Sequence, residues 1–318
     1  SVMMRVWNLL YSVISIRMTA CGSEKLETTD NADSNSIEIT DNDGSDADME
    51  LSEDAVTDSS EDITSNVGDE NANESAIGDL SSEIKAKVEG IQASGCTLQE
   101  ELEQVESLEA AYTDIAAETQ MEMNMVASYG TEVWDAELNG LWKRMSNELD
   151  ATTKEKVLKE QREWNEIKEK AAKGMTTMYE GGSIQPMIYA QELANINKNR
   201  CYVLASIYAK KLGQSVKIPA RKEYGAYIDN QGTGDVYSEL YIYEGQESGS
   251  AFADIGIYKL TTFHGDVTKT SDGYDFEDQE GRVKGKITYS NEGASFEVTE
   301  SAAGLANVGD KYEFPWAF

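Results

Sequence analysis

The stretch Trp134-Asp135-Ala136-Glu137-Leu138-Asn139-Gly140-Leu141-Trp142-Lys143-Arg144-Met145-Ser146-Asn147-Glu148-Leu149 decides the fold class. Trp134, Leu138, Leu141, Trp142, Met145 and Leu149 recur at helical spacing and form one apolar stripe. The pattern runs on from Thr119 to Leu212 with two breaks. At the first, Asp150 and Ala151 interrupt, and Thr152-x-x-Glu155 reads as a capping box for a second helix. That helix carries Val157, Trp164, Ile167, Ala171, Met175 and Met178. At the second break, Gly181-Gly182 stops the pattern, and Ser183 is placed to cap a third helix with Pro186 in its first turn. Ile184, Ile188, Leu193, Ile196, Leu204, Ile207 and Leu212 line this helix, and Gly213 ends it. Short connections imply antiparallel neighbours, hence a small antiparallel helical bundle. Upstream, Leu98, Leu102, Val105, Leu108 and Tyr112 predict a first helix over 98–117, with Glu100, Glu101, Glu103, Glu106 and Glu109 on its solvated face. Ile84, Val88 and Ile91 also sit at helical spacing.

After Pro219 the period changes from 3.6 to 2. Val236–Tyr243, Phe252–Tyr258, Val283–Tyr289 and Ser295–Thr299 alternate, with turns at Gly245, Gly249, Gly265, Asp272-Gly273, Gly281, Asn291-Glu292-Gly293 and Gly309-Asp310. Seven or eight short strands predict a small antiparallel beta barrel or sandwich, with Lys311–Phe314 as the closing strand and 315–318 lying across an open end. The fold class is therefore α+β, multidomain. The module's many tyrosines, at 224, 227, 237, 241, 243, 258, 274, 289 and 312, read either as contact residues or as strand core and cross-strand pairs.

Charge is unevenly placed along the 318 residues, whose net charge is −32. From Gly22 to Ile84 there are twenty Asp or Glu against one basic residue, Lys25, so that stretch carries −19. Arg5 and Arg17 add +2 before it, leaving −15 for the remainder. A stretch so acidic and lacking aromatics cannot bury enough apolar surface to offset chain entropy, and it reads as a disordered linker over 22–95. As a coil, about sixty such residues span roughly 45 Å, and more under self-repulsion. Such a field repels nucleic acid, so no nucleic-acid partner is expected. Asp41-x-Asp43-x-Ser45 hints at a calcium loop, but Asp46 and Ser52 stand where Gly and Glu are needed, which favours a solvated linker. Before the linker, Arg5, the apolar run Val6–Ile16 and then Met18-Thr19-Ala20-Cys21-Gly22 resemble a bacterial lipoprotein signal over 1–21. Cys21 is the expected lipidation site, which implies a membrane anchor and a location on the extracellular face of the bacterial membrane. Arg17 within the apolar region departs from that pattern. Cys96 and Cys201 then either pair or remain free thiols.

The order of polar and aromatic residues in the helical stretch carries a resemblance. Thr119-Gln120-x-Glu122-Met123-Asn124, Asp135-x-Glu137-Leu138-Asn139-x-x-Trp142, Gln161-Arg162-x-Trp164-x-x-x-Lys168-Glu169, Gly181-Gly182-Ser183-Ile184-x-Pro186 and Arg200 together resemble the bacterial LprI-type lysozyme-inhibitor domain, over roughly 96–212. The domain organisation becomes 1–21 signal, 22–95 linker, 96–219 helical domain and 220–318 beta module. The resemblance implies a helical, secreted or lipid-anchored protein that binds lysozyme or another cationic protein. It differs from the family where members often carry cysteines, at Val126, Ala172 and Glu192, in having Lys168-Glu169 in place of an Arg-Asp pair, and in having Trp142 where Tyr is usual. The polar residues it selects are Asp135, Asn139, Gln161, Lys168, Glu169 and Arg200; they read either as a contact surface or as inter-helix hydrogen bonds and ion pairs. Trp134, Trp142 and Trp164 read as core.

The residue inventory points away from catalysis. The single histidine, His264, is the only residue on which a Ser-His-Asp or Cys-His arrangement could rest. Metal ligands do not cluster in the sequence, and Gly232-x-Gly234 lies between strand-like segments rather than before a helix, so no metal, cofactor or phosphate loop is expected. The expectation is a non-enzymatic envelope binding protein that inhibits lysozyme. Its alternative is a small-ligand or glycan-binding lipoprotein with its site in the beta module.

Overall fold

The computed structural model describes residues 77–318. The signal segment, Cys21, the Asp41–Ser45 motif and most of the acidic linker lie outside the described residues.

Among the described residues five helices come first: α1 (Ser81–Gln92), α2 (Leu98–Thr113), α3 (Gln120–Glu148), α4 (Ala151–Met175) and α5 (Gln185–Leu212), with a 3₁₀ turn at Thr177–Tyr179. The first of them corrects the expected boundary, because the bundle begins at Ser81, inside the stretch that composition assigns to the linker. Ile84 and Val88, one turn apart, are fully covered where α1 packs on α3. Tyr129 Oη also donates to the carbonyl of Gly78 at 2.8 Å, holding the entry to α1.

Helix starts are set by side-chain caps. Thr97 with Glu100 and Thr119 with Glu122 form reciprocal capping boxes. The expected box at Thr152 does not form. Asp150, extended at φ −63° and ψ 156°, caps α4 by accepting from the Thr153 backbone N–H at 3.0 Å. Nor does Ser183 cap α5: Ile184 precedes it without a side-chain bond, and Pro186 sits in the first turn as expected. Gly213, left-handed at φ 69°, closes α5.

The long helix α3 touches α1, α2 and α5, and α5 packs on both α3 and α4. The main pairing is therefore α3 on α5, which are not sequential neighbours, although α2 with α3 and α4 with α5 also pack, and α4 meets β1 and β2 of the beta module. Trp134, Trp142 and Trp164 are all buried, as are Val126 and Ala172. Cys96 and Cys201 are free thiols; Cys201 is buried with its Sγ 3.6 Å from the Trp134 carbonyl.

Nine antiparallel strands follow: β1 (Gly225–Asp229), β2 (Ser238–Glu244), β3 (Ala251–Ile257), β4 (Thr261–Lys269), β5 (Gly273–Asp278), β6 (Val283–Ser290), β7 (Gly293–Ser301), β8 (Lys311–Phe314) and β9 (Trp316–Ala317). They form one sheet in the order β8-β7-β6-β5-β4-β3-β2-β1-β9, curled into a nearly closed barrel. The C-terminus does not lie across an open end. Beyond Pro315 it pairs with β1, matching Ile228 to Trp316, so the chain's last strand flanks its first. Inside, Phe296 meets Phe276 edge-on at 5.5 Å, with Phe263 and Tyr312 at 6.4 Å, and the rings fill the barrel. Gly265 is buried, and a Cβ there would stand 1.9 Å from the Glu277 carbonyl oxygen, so the neighbouring strand approaches that closely only because the residue is glycine.

Strand β2 is covered on both sides. Leu240 and Ile242 face the barrel core, while Tyr241 and Tyr243 face α4. Tyr243 Oη donates to the Gly174 carbonyl at 2.8 Å, and a Cβ on Gly174 would come within 2.2 Å of the Tyr241 ring. Asn230, in the β1–β2 turn, accepts from Trp316 Nε1 at 3.0 Å and donates to Glu163 on α4 at 3.3 Å. The Gly232-x-Gly234 stretch is thus a turn docked on α4, with Lys170 donating to the Gly234 carbonyl.

Candidate functional site

Helix α5 carries Asn197 and Arg200 three residues apart, hence on one face. Both are almost fully buried. Asn197 reaches α3, donating from Nδ2 to Asp135 Oδ1 at 2.6 Å. Arg200 reaches α4, donating from Nε to Gln161 Oε1 at 2.7 Å. On α4, Gln161, Trp164 and Lys168 fall at i, i+3 and i+7, one face again. Two cations share the Trp164 indole: the Lys168 Nζ lies 5.1 Å and the Arg200 guanidinium 5.9 Å from its centroid.

Five of the six polar residues selected by the sequence are brought together in this way. Asp135 is linked electrostatically to both Lys168 and Glu169. Burial pushes its carboxyl up to about 6, with Lys168 opposing the shift and Glu169 adding to it. Tyr189 on α5, also raised to about 12, is held up by burial and then by Glu169. Burial lowers the Arg200 guanidinium to about 10, against the attraction of Glu160. Asn139 is exposed on α3 and makes none of these contacts. Asn197 and Tyr189 complete the seam. The signal for Asn197 was its place one turn before Arg200 on a helix whose apolar stripe leaves that face to polar residues.

A second buried polar group lies at the other side of α3. Arg144 holds Glu101 with both terminal nitrogens, one at 2.9 Å. Glu137, with none of its surface exposed, accepts from Gln92 Nε2 at 2.9 Å. Burial and the neighbouring Glu101 carboxyl push Glu137 well above the usual carboxylate range. Gly140 makes room for this crossing, since any Cβ there would overlap the Gln92 amide. Glu137 falls within the sequence pattern quoted above, yet nothing local in that pattern marks it as buried.

In the beta module, His264 lies within β4 and is exposed, its Nδ1 2.6 Å from Asp254 Oδ1 on the neighbouring strand. The tyrosines resolve mainly as packing: Tyr227, Tyr241, Tyr243 and Tyr274 are buried, whereas Tyr258 is exposed against Tyr237.

The polar seam thus sits wholly within the helices, and the comparison with known families falls on the same helices. Residues 110–204 match a family model described as Lysozyme inhibitor LprI. No curated protein and no solved structure matches the chain. The helical region, from the end of α2 through most of α5, is thus similar to the LprI lysozyme-inhibitor domain.

Proposed function

We propose that this chain is a cell-envelope binding protein that inhibits lysozyme through its helical domain, held at the extracellular face of the bacterial membrane by lipid on Cys21. The LprI match over α2–α5 carries the reading. Charge supports it: residues 85–318 retain −15, a field that draws in a cationic protein and speeds encounter in a salt-dependent way. The buried contacts of Asp135, Gln161, Lys168 and Arg200 fix how α3, α4 and α5 pack. The partner surface is then an exposed face of the helical domain rather than the seam itself, and its acidic part is α2, whose Glu100 and Glu103 are exposed. The ring-filled barrel interior favours this reading over a small-ligand site inside the beta module. The protein acts by binding and not by chemistry, and the exposed Asp254–His264 pair serves as a cross-strand contact.

The test is lysis of a peptidoglycan suspension by lysozyme with the purified chain added, at low and at physiological salt. Saturable inhibition at both salts is the expected result. Inhibition that disappears at physiological salt would reduce the effect to non-specific charge attraction, and the reading would fall.

A further inference from the structure

Strands β1 to β8 form one meander, so their loops alternate between the two ends of the barrel. Loops 245–250, 270–272 and 291–292 share one end, and none of them carries an apolar side chain. The large apolar side chains that the beta module leaves exposed lie at the other end: Tyr258, 47 % exposed, between β3 and β4, with Leu305 and Val308, 40 % and 67 % exposed, between β7 and β8. Arg282 ties these two loops together. Its carbonyl accepts from the Ala302 N–H at 2.9 Å, and its Nη2 donates to the Thr262 carbonyl at 3.2 Å. Ala306 is buried in the barrel core and Leu260 packs on the same cluster, so the exposed tips flank one apolar plug. Their exposure is fixed by the loops' own hydrogen bonds. Ser301 Oγ donates to the Ala306 carbonyl at 2.6 Å, the Gly309 N–H to the Val298 carbonyl at 2.8 Å, and the Tyr258 N–H to Ser238 Oγ at 3.0 Å.

Charge decides what covers this end. Residues 302–309 carry none, in a chain of which 27 % is charged, so a cationic protein finds no acidic complement there. A second copy would bring up another body of the same sign, −15 over residues 85–318, which opposes association. The tips project from separate loops rather than lining a cleft, which a small ligand needs. A lipid surface needs no matching shape. It takes aliphatic side chains below the headgroups, tyrosine at the boundary and lysine reaching back to water. Lys259 is so placed, its Nζ 5.2 Å from the Tyr258 ring centroid. The acidic body behind the tip favours a zwitterionic surface, because an anionic one would repel it.

We propose that the barrel end bearing Tyr258, Leu305 and Val308 inserts shallowly into the surface of a zwitterionic lipid bilayer. This contact is separate from lysozyme binding and from lipid on Cys21.

The test is hydroxyl-radical footprinting of the full, unlipidated chain with and without phosphatidylcholine vesicles in large excess. Oxidation of Tyr258, Leu305 and Val308 should fall together, while the exposed Met121, Leu212 and Ile218 elsewhere in the chain stay unchanged. Reading single side chains separates this contact from any made by residues 1–21. Leu305→Asp combined with Val308→Asp replaces exposed side chains only, so the unfolding midpoint should hold. Vesicle partition through this end should weaken roughly tenfold or more, and Tyr258 should lose its protection. Unchanged oxidation of all three residues at saturating lipid would overturn the proposal. So would protection that requires anionic lipid, protection that arises without vesicles as protein concentration rises, protection by lysozyme and not by vesicles, or undiminished protection of Tyr258 in the double variant.

Discussion

Replacing Glu137 by Gln should make the protein less sensitive to rising pH. In the folded state Glu137 is fully covered on α3, accepts from Gln92 and lies beside the Glu101 carboxyl. Arg144 and Gln92 relieve it only in part, and both terminal nitrogens of Arg144 go to Glu101. Its carboxyl is therefore held well above the usual value of 4.5, and the folded chain keeps a proton that the unfolded chain gives up. The sign follows. Stability from this proton is fully present below about pH 4.5 and is lost as pH rises toward the folded value. One such proton contributes a slope approaching ~1.4 kcal/mol per pH unit. Gln keeps the carbonyl that accepts from Gln92 and cannot ionise, so its stability lacks that slope. Between pH 5.5 and 7.5 the advantage of Glu137→Gln over the parent should grow steadily, by no more than the ~1.4 kcal/mol per pH unit that one proton allows. Asp135, also raised, loses stability in the same direction in both proteins and cancels in the difference. Thermal unfolding of the two proteins across that range is the assay. Parallel curves, or an advantage that shrinks with pH, would refute the argument and show Glu137 to be ionised in the folded state.

Two further substitutions test the packing. Gly174→Ala gains about 1 kcal/mol of helix propensity but drives a methyl into the Tyr241 ring, an overpacking cost of about 1–3 kcal/mol. Chemical denaturation should show a net loss, and a stabilised variant would mean that α4 and β2 do not pack as described. Trp134→Ala removes a fully buried indole from the centre of α3 and should cost about 3–5 kcal/mol. An unchanged midpoint with altered lysozyme binding would instead place Trp134 at a contact surface.

The helices were legible because Trp134 through Leu149 repeat at 3.6 residues on a long element, and Gly213 stops the last one at the position where it is left-handed. Their starts were less so. Asp150 competes with Thr152 for the cap, and only the extended backbone at Asp150 decides between them. Helix α1 was hidden by its surroundings: Ile84 and Val88 carry the signal, but the acidic composition upstream outweighs two apolar residues. In the barrel, β3 and β6 alternate cleanly, whereas β2 is covered on both faces. β4 alternates in burial, but its inward face carries Gly265 between Phe263 and Val267, which weakens the apolar signal, and β9 is a two-residue strand after a proline that only its partner β1 reveals. The seam was partly readable, since Asp135, Gln161, Lys168, Glu169 and Arg200 do converge. Its logic was not, because α5 bridges α3 and α4, while α4 also meets the barrel strands β1 and β2.

The central claim is that the helical domain is the part that meets lysozyme. Hydrogen exchange of the full chain with and without lysozyme, at physiological salt, tests it most directly. The account predicts slowed exchange confined to α2–α5, within or beside 110–204, with the barrel strands unchanged. Slowed exchange confined to 225–318, or none at saturating lysozyme, would contradict it.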